Sequence, residues 1–230
     1  MSTARSVLAL IPAFNEQDTI RQTVQGVISL PLVDRVLVID DGSTDETVNR
    51  ARQAGAEVVV QPVNLGKGAA LNRGLKEFRE DILLLLDGDL GESAGEAVKL
   101  VEPLMAGQAD MTIARFPKLH TKGGFGLVKG LASIGIRSLT GIRAEAPLSG
   151  QRALSREVVK SVGSFAAGYG VEVGLTIDIA RQGFRILEVD TAMYHHGQTG
   201  RDLGGFWHRG KQFIHVVRVL MGRAVRFSGV

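Results

Sequence analysis

Two aspartates separated by one glycine, Asp87 and Asp89, close the apolar run of LLLLDGDL, residues 83–90. Carboxylates at alternate positions leaving a buried strand can converge on one point, and such a pair is costly unless a cation neutralises it. A hard divalent ion with oxygen ligands, still able to hold phosphate oxygens, is the natural occupant. A second acidic pair, Asp40 and Asp41, opens DDGSTDET. These carboxylates can accept hydrogen bonds from a base N–H or from ribose hydroxyls, although Asp, Gly, Ser and Thr are also the ordinary residues of a turn followed by a helix cap. NLGKGAALNRG, residues 64–74, adds glycines that let backbone approach a ligand and a lysine at a helix start, where an anion is favoured. Gly68 follows Lys67 where a P-loop needs Ser or Thr, and the first strand leads into PAFNE, with no G-x-G-x-x-G. Neither a P-loop NTPase nor a dinucleotide dehydrogenase fits.

These loops need strands behind them. SVLALI, RVLVID, EVVVQ, DILLLLD and DMTIA are short apolar runs rich in Val, Ile and Leu, and helical stretches separate them. Runs apolar on both faces and spaced by helices predict buried parallel strands in a βαβ series, a doubly wound α/β sheet. Ligands of such sheets lie beyond the carboxyl ends of the strands, where PAFNE, DDGSTD, PVNLGKG and DGDL all fall.

A chain of 230 residues is ordinary for one α/β domain. The absence of cysteine excludes disulfide frameworks, thiolate metal sites and cysteine nucleophiles. The N-terminal apolar stretch is too short for a signal segment, and no window reaches the roughly 18 apolar residues of a membrane span, so a cytoplasmic location is expected. Net charge is +3, but residues 181–230 hold eight Lys and Arg against three acids, so the basic excess sits at that end. With 5% aromatic residues there is no stacking platform for nucleic acid.

IPAFNE, VIDDGSTDET, NLGKGAALNRGL and LLLLDGDL, in this order over residues 11–90, resemble the nucleotide-sugar-binding half of the family 2 glycosyltransferases with the GT-A fold. That resemblance implies a mostly parallel central sheet flanked by helices in a single domain, with residues 1–115 holding the nucleotide sugar and 116–230 serving the acceptor and completing the metal site. It implies that Pro12, Ala13, Asn15 and Glu16 line the nucleoside pocket. Asp40 or Asp41 would contact the base, Gly66 and Lys67 the diphosphate, and Asp87 and Gly88 the ribose or sugar. Asp89 would ligate the metal.

The second half is similar to a narrower group, the glucosyl-3-phosphoglycerate synthases, through APLSGQRALSRE, GYGVEVGLTIDIARQG and EVDTAMYHHGQTGRDL. By that similarity Glu172 holds sugar hydroxyls and His196 joins Asp89 on the metal, with His195 as the alternative. Gly124, Ser149, Gly150, Gln151, Arg152 and Tyr169 would form the acceptor side with Glu172, and Arg201 would be a further phosphate clamp. The chain departs from this group at TKGGFG, where Phe125 stands in place of an acceptor-phosphate arginine and Lys122 or Lys129 could substitute. Ser149–Arg152 also resembles the polyprenyl-phosphate sugar transferases. In the C-terminal stretch Phe206, Phe213, Val217 and Leu220 recur at helical spacing beside Arg209, Lys211, Arg218, Arg223 and Arg226, a composition able to lie on an anionic bilayer or to cover the sheet.

The expectation is therefore a metal-dependent transferase in which Asp89, Glu172 and Lys67 carry the chemistry and a sugar, glucose or similar, moves from a nucleotide, UDP in the first instance, to a small soluble acceptor. A lipid phosphate is the alternative acceptor, and a homodimer is the expected assembly.

Overall fold

The computed structural model describes residues 5–117, 125–165, 171–196 and 216–223. Gly124, Tyr169 and Arg201 lie outside them, as do Lys122, Phe206, Arg209, Lys211, Phe213 and Arg226.

The chain forms one α/β domain. It begins as the apolar runs predict: β1 (Val7–Ala13), α1 (Ile20–Ile28), β2 (Arg35–Asp40), α2 (Thr47–Gln53), β3 (Glu57–Val60), α3 (Lys67–Leu75) and β4 (Ile82–Leu85). These four strands are parallel, in the order β3-β2-β1-β4. Alternation of side chains along β1 and β4 explains why both faces must be apolar. Val7, Ala9, Ile11, Ile82 and Leu84 enter the core under α1 and α4 (Val98–Met105), while Leu8, Leu10, Leu83 and Leu85 enter the opposite core under α3 and α7 (Val171–Arg181).

Beyond β4 the series changes. A 3₁₀ turn (Gly91–Ala97) leads into α4, then come β5 (Met111–Arg115), α5 (Phe125–Thr140), β6 (Arg152–Ser155), α6 (Arg156–Val162), α7 and β7 (Ile186–Asp190). β5 does not continue the parallel row beside β4. β6 inserts between them and runs antiparallel to both, giving the seven-stranded order β3-β2-β1-β4-β6-β5-β7. Because β6 runs backwards, the residues before it, 145–151, reach the edge at which the parallel strands end. The expected division near residue 115 falls at the end of β5, whose partners among the described residues, β6 and β7, both follow it in sequence. The two portions share one sheet.

The helical residues 216–223 pack on α5 and α7. Val216 is fully buried and joins Val128, Ala132, Ile136, Val173 and Ile177, with Val219 and Leu220 against them. Two glycines make room: a Cβ on Gly135 would lie 2.4 Å from Leu220 Cδ2, and one on Gly174 would lie 2.6 Å from Arg223 Nη2. Arg223 Nε donates to Asp178 Oδ1 at 2.8 Å. The expected covering helix would lie on the sheet with its arginines toward water, whereas the described part lies on α5 and α7 with Arg223 paired to Asp178. No helix among the described residues is long and apolar enough to cross a membrane.

Candidate active site

A cavity of about 1580 Å³ opens at the carboxyl edge of the sheet. Pro12, Ala13, Glu16, Asp41, Gly66, Lys67, Asp87, Gly88, Asp89, Ser149, Gly150, Gln151 and Glu172 all line it, so loops distant in sequence meet as the topology requires.

Its floor is a connected set of charges. Lys67, the first residue of α3, places Nζ 2.7 Å from Asp87 Oδ1 and 3.4 Å from Glu172 Oε1. Gln151 Nε2 donates to the other Asp87 oxygen at 2.7 Å. Burial opposes the charge on Lys67, but Asp87 and Glu172 together hold its pKa above the ordinary lysine value. Burial likewise opposes the Asp87 carboxylate, and Lys67, His195 and Gln151 hold it below the usual range. Lys67 and Asp87 each favour the charged form of the other. Gly150 permits this contact, since a Cβ there would lie 2.6 Å from Lys67 Nζ.

The acidic pair at the end of β2 is engaged by groups of the protein itself, and Asp41 lines the cavity. Asp40 is fully buried, does not line the cavity, and accepts a hydrogen bond from the Ser43 amide at 3.1 Å. Asp41 Oδ1 accepts from Gln61 Nε2 (2.7 Å) and the Leu65 amide (2.9 Å), and Oδ2 accepts from the Gly66 amide (2.7 Å). It fastens the loop in which Gly66, at φ 90°, turns the chain into Lys67. Asn15 also ties loops, accepting from the Thr44 amide at 2.9 Å and donating its own amide to Ser43 Oγ at 2.9 Å, and it stands outside the lining.

Asp89 meets a histidine, and it is His195. The Nδ1 atom of His195 lies 2.8 Å from Asp89 Oδ1, and ligand atoms of Asp87, Asp89 and His195 fall within 4.8 Å of one another. The neighbouring residue, His196, donates its backbone N–H to the Asp89 carbonyl at 2.9 Å, and its ring rests beside Tyr194 over Gly91. Gly91 has φ 53° and no Cβ, which leaves the notch that ring fills. This pinned peptide sends the two imidazoles apart, so His195 rather than His196 is the histidine that faces Asp89. Burial lowers the affinity of His195 for a proton, but the hydrogen bond and charge of Asp89 outweigh that and raise its pKa. Nearby, burial and the Asp89 charge push the Glu16 carboxyl up to about 7. The excess negative charge and the mixed oxygen and nitrogen donors suit Mg²⁺ or Mn²⁺, with imidazole more typical for Mn²⁺. Asp87 is already engaged by Lys67 and Gln151, which leaves Asp89 and His195 as the pair that could hold a metal.

Arg152 lies outside the large cavity, 1% exposed beneath the loop that precedes it. Its Nε donates to the Ser149 carbonyl and its Nη1 to Thr176 Oγ1, both at 2.9 Å. Burial lowers its pKa to about 10. The guanidinium supports the loop from below.

Residues 9–131 match the model of Glycosyl transferase family 2. The chain belongs to that family. It is 37% identical over 199 residues to glucosyl-3-phosphoglycerate synthase of Mycobacterium tuberculosis, covering 76% of this chain and 60% of that protein. Similarity to glycosyltransferase AglJ of Haloferax volcanii is 32% over 203 residues, 84% of this chain and 65% of the relative. The chain thus spans less than two thirds of these relatives' length. Among solved structures, the M. tuberculosis synthase in complex with Mn²⁺, uridine-diphosphate-glucose and phosphoglyceric acid matches with a TM-score of 0.79 at 34% identity, covering 95% of this chain and 79% of that one. The likeness bears out the GT-A sheet expected from the sequence.

For this family 2 chain, the cavity also holds residues that sequence reasoning passed over. Phe14, 43% exposed, lines it from within the quoted PAFNE, where an exposed aromatic beside the nucleoside loop was an available signal. Arg115, Phe116, Pro117 and Glu145 line the other wall and carried no motif, and Pro147 and Leu148 line it from within the quoted APLSGQRALSRE. Lys129, named only as a substitute cation, also faces the cavity.

Proposed function

We propose that the protein is a metal-dependent glycosyltransferase that moves glucose or a similar hexose from a UDP-sugar to a small soluble acceptor. The observation that carries this reading is the meeting of Lys67, Asp87 and Glu172 with the Asp89–His195 pair in one cavity. Likeness to a structure holding Mn²⁺, UDP-glucose and phosphoglyceric acid supports the donor, the metal and an anionic acceptor.

In this reading Pro12, Ala13, Phe14 and Glu16 border the nucleoside, and Asp89 and His195 hold the metal at the diphosphate. When bound, the divalent cation offsets the negative charge that builds on the departing diphosphate. Lys67 adds a fixed positive charge there, already oriented and needing no reorganisation as the bond breaks. Glu172 and Asp87 present carboxylate oxygens toward sugar hydroxyls. Both face Lys67, so neither is poised as a base. This favours attack on the leaving-group side: the acceptor oxygen bonds to the anomeric carbon, the bond to phosphate breaks, and the acceptor proton passes to the departing phosphate oxygen. The configuration is then retained.

A soluble acceptor is favoured over a lipid phosphate because Val216, Val219 and Leu220 are engaged inside the domain and Arg223 is paired with Asp178. Calorimetric titration with UDP and GDP, with and without Mn²⁺, tests the reading on the wild type and on Asp89→Ala. UDP binding that requires Mn²⁺ and is lost in the variant is expected. Binding of neither nucleotide, or UDP binding indifferent to Mn²⁺ and to Asp89, overturns it.

A further inference from the structure

Residues 145–151 wall the acceptor side of the cavity without regular secondary structure. A segment of that kind is ordinarily among the first to open. Its far end is held by the Gln151 contact with Asp87 and by Arg152 on the Ser149 carbonyl. Its near end is held by a residue with no place in the chemistry above. Glu188, in the edge strand β7, accepts the Glu145 amide on both oxygens at 2.9 and 3.0 Å and the Ala146 amide on Oε1 at 2.9 Å. Two consecutive N–H groups converging on one carboxylate form an anion-holding concavity, here filled by the chain itself, and hydrogen bonds to an ionised acceptor are the stronger kind. Arg115 is taken in two parallel bonds by Asp190, both 2.8 Å, and its Nη1 reaches the Glu145 carboxylate at 3.2 Å, an exposed second tie on this end, while Glu188 holds the backbone amides. Glu188 does not line the cavity.

We propose that Glu188 is a positioning residue for acceptor recognition: it fixes the start of the 145–151 segment on β7 and thereby sets Ser149 and Gly150 at the acceptor subsite. The inference rests on the proposed transferase reading for its consequence, although the fastening itself is independent of it. It separates two properties that would otherwise fall together, because the donor floor of Lys67, Asp87 and Glu172 meets the segment at its far end, through Gly150 and Gln151, and not at the end that Glu188 holds.

The test uses Glu188→Ala and Glu188→Gln in the full chain, with amide hydrogen exchange over 145–151, UDP affinity in Mn²⁺, release of UDP from UDP-glucose without added acceptor, and the KM for 3-phosphoglycerate. For Glu188→Ala, exchange about ten-fold faster and KM about ten-fold higher are expected, the size of one lost charge-assisted hydrogen bond. UDP affinity and acceptor-free release should stay within about two-fold, and Glu188→Gln, which keeps one carbonyl oxygen, should lie between. Unchanged exchange in Glu188→Ala, or UDP affinity falling in step with KM, overturns the proposal. If the wild type releases UDP but never glucosylates phosphoglycerate, the acceptor assignment fails, while exchange and UDP affinity still decide the role of Glu188.

Discussion

The two walls of the cavity hold charge in opposite ways. On the donor wall, Lys67, Asp87 and Glu172 have side chains 37%, 25% and 14% exposed and answer one another directly. On the acceptor wall, Arg115 bridges Asp190 and Glu145, whose side chains are 81% and 69% exposed. Exposed pairs contribute little and are screened by salt, whereas a partly buried set leaves uncompensated charge when one member is lost. The donor wall is therefore rigid in its chemistry. The acceptor wall owes its near end to backbone hydrogen bonds, and its Arg115, Glu145 and Asp190 side chains can change without disturbing the donor, whereas Gly150 and Gln151 lie against Lys67 and Asp87.

Removing the central cation should break the donor wall most severely. In Lys67→Met, Asp87 and Glu172 face one another unpaired, and turnover of UDP-glucose should fall about 10²–10³-fold, as when a preorganised charge-stabilising group is deleted. Turnover within three-fold of wild type would show that the lysine is structural. A smaller effect is expected from Gly150→Ala, whose Cβ would lie 2.6 Å from Lys67 Nζ and 3.1 Å from Asp87 Oδ2. The flexible lysine end can move, so the fold should persist while turnover drops roughly ten-fold through displaced charge. A Tm loss as large as that of a core truncation would instead place the damage in the backbone. Least affected should be Asp110→Asn at the opposite edge of β5, where hydrogen bonds from Arg185 hold the aspartate pKa below its usual value. A depressed folded pKa gives stability that is present above the unfolded value of about 3.9 and is lost as pH falls through the folded value. The Tm gap between wild type and variant should therefore be about 1–3 °C at pH 7 and close below about pH 4, with turnover unchanged.

The donor wall was legible because its signals are local. VLALIPA, RVLVID and ILLL are buried on both faces, and each strand is followed at once by the polar residues it positions, so periodicity and turn chemistry agree. β6 is four residues, RALS, and nothing within them sets direction or neighbours. The doublet Asp40–Asp41 was visible, but a carboxylate offered to a ligand and one offered to the backbone amides of Leu65 and Gly66 look alike in sequence. His195 and His196 differ by one peptide bond, and the choice between them depends on a glycine more than 100 residues earlier, Gly91. Glu188 reaches its amides across 42 and 43 residues, a distance no local pattern spans.

The backward strand also bears on synthesis. A ribosome delivers β5 before either of its partners, so Met111–Arg115 emerges with both hydrogen-bonding edges open until Arg152–Ser155 and then Ile186–Asp190 follow. The first four strands can assemble as they appear, but β4 also waits for β6 on its outer side. Vectorial folding thus stalls at an unfinished edge for about forty residues, and the nascent chain is most open to unwanted strand pairing in that interval.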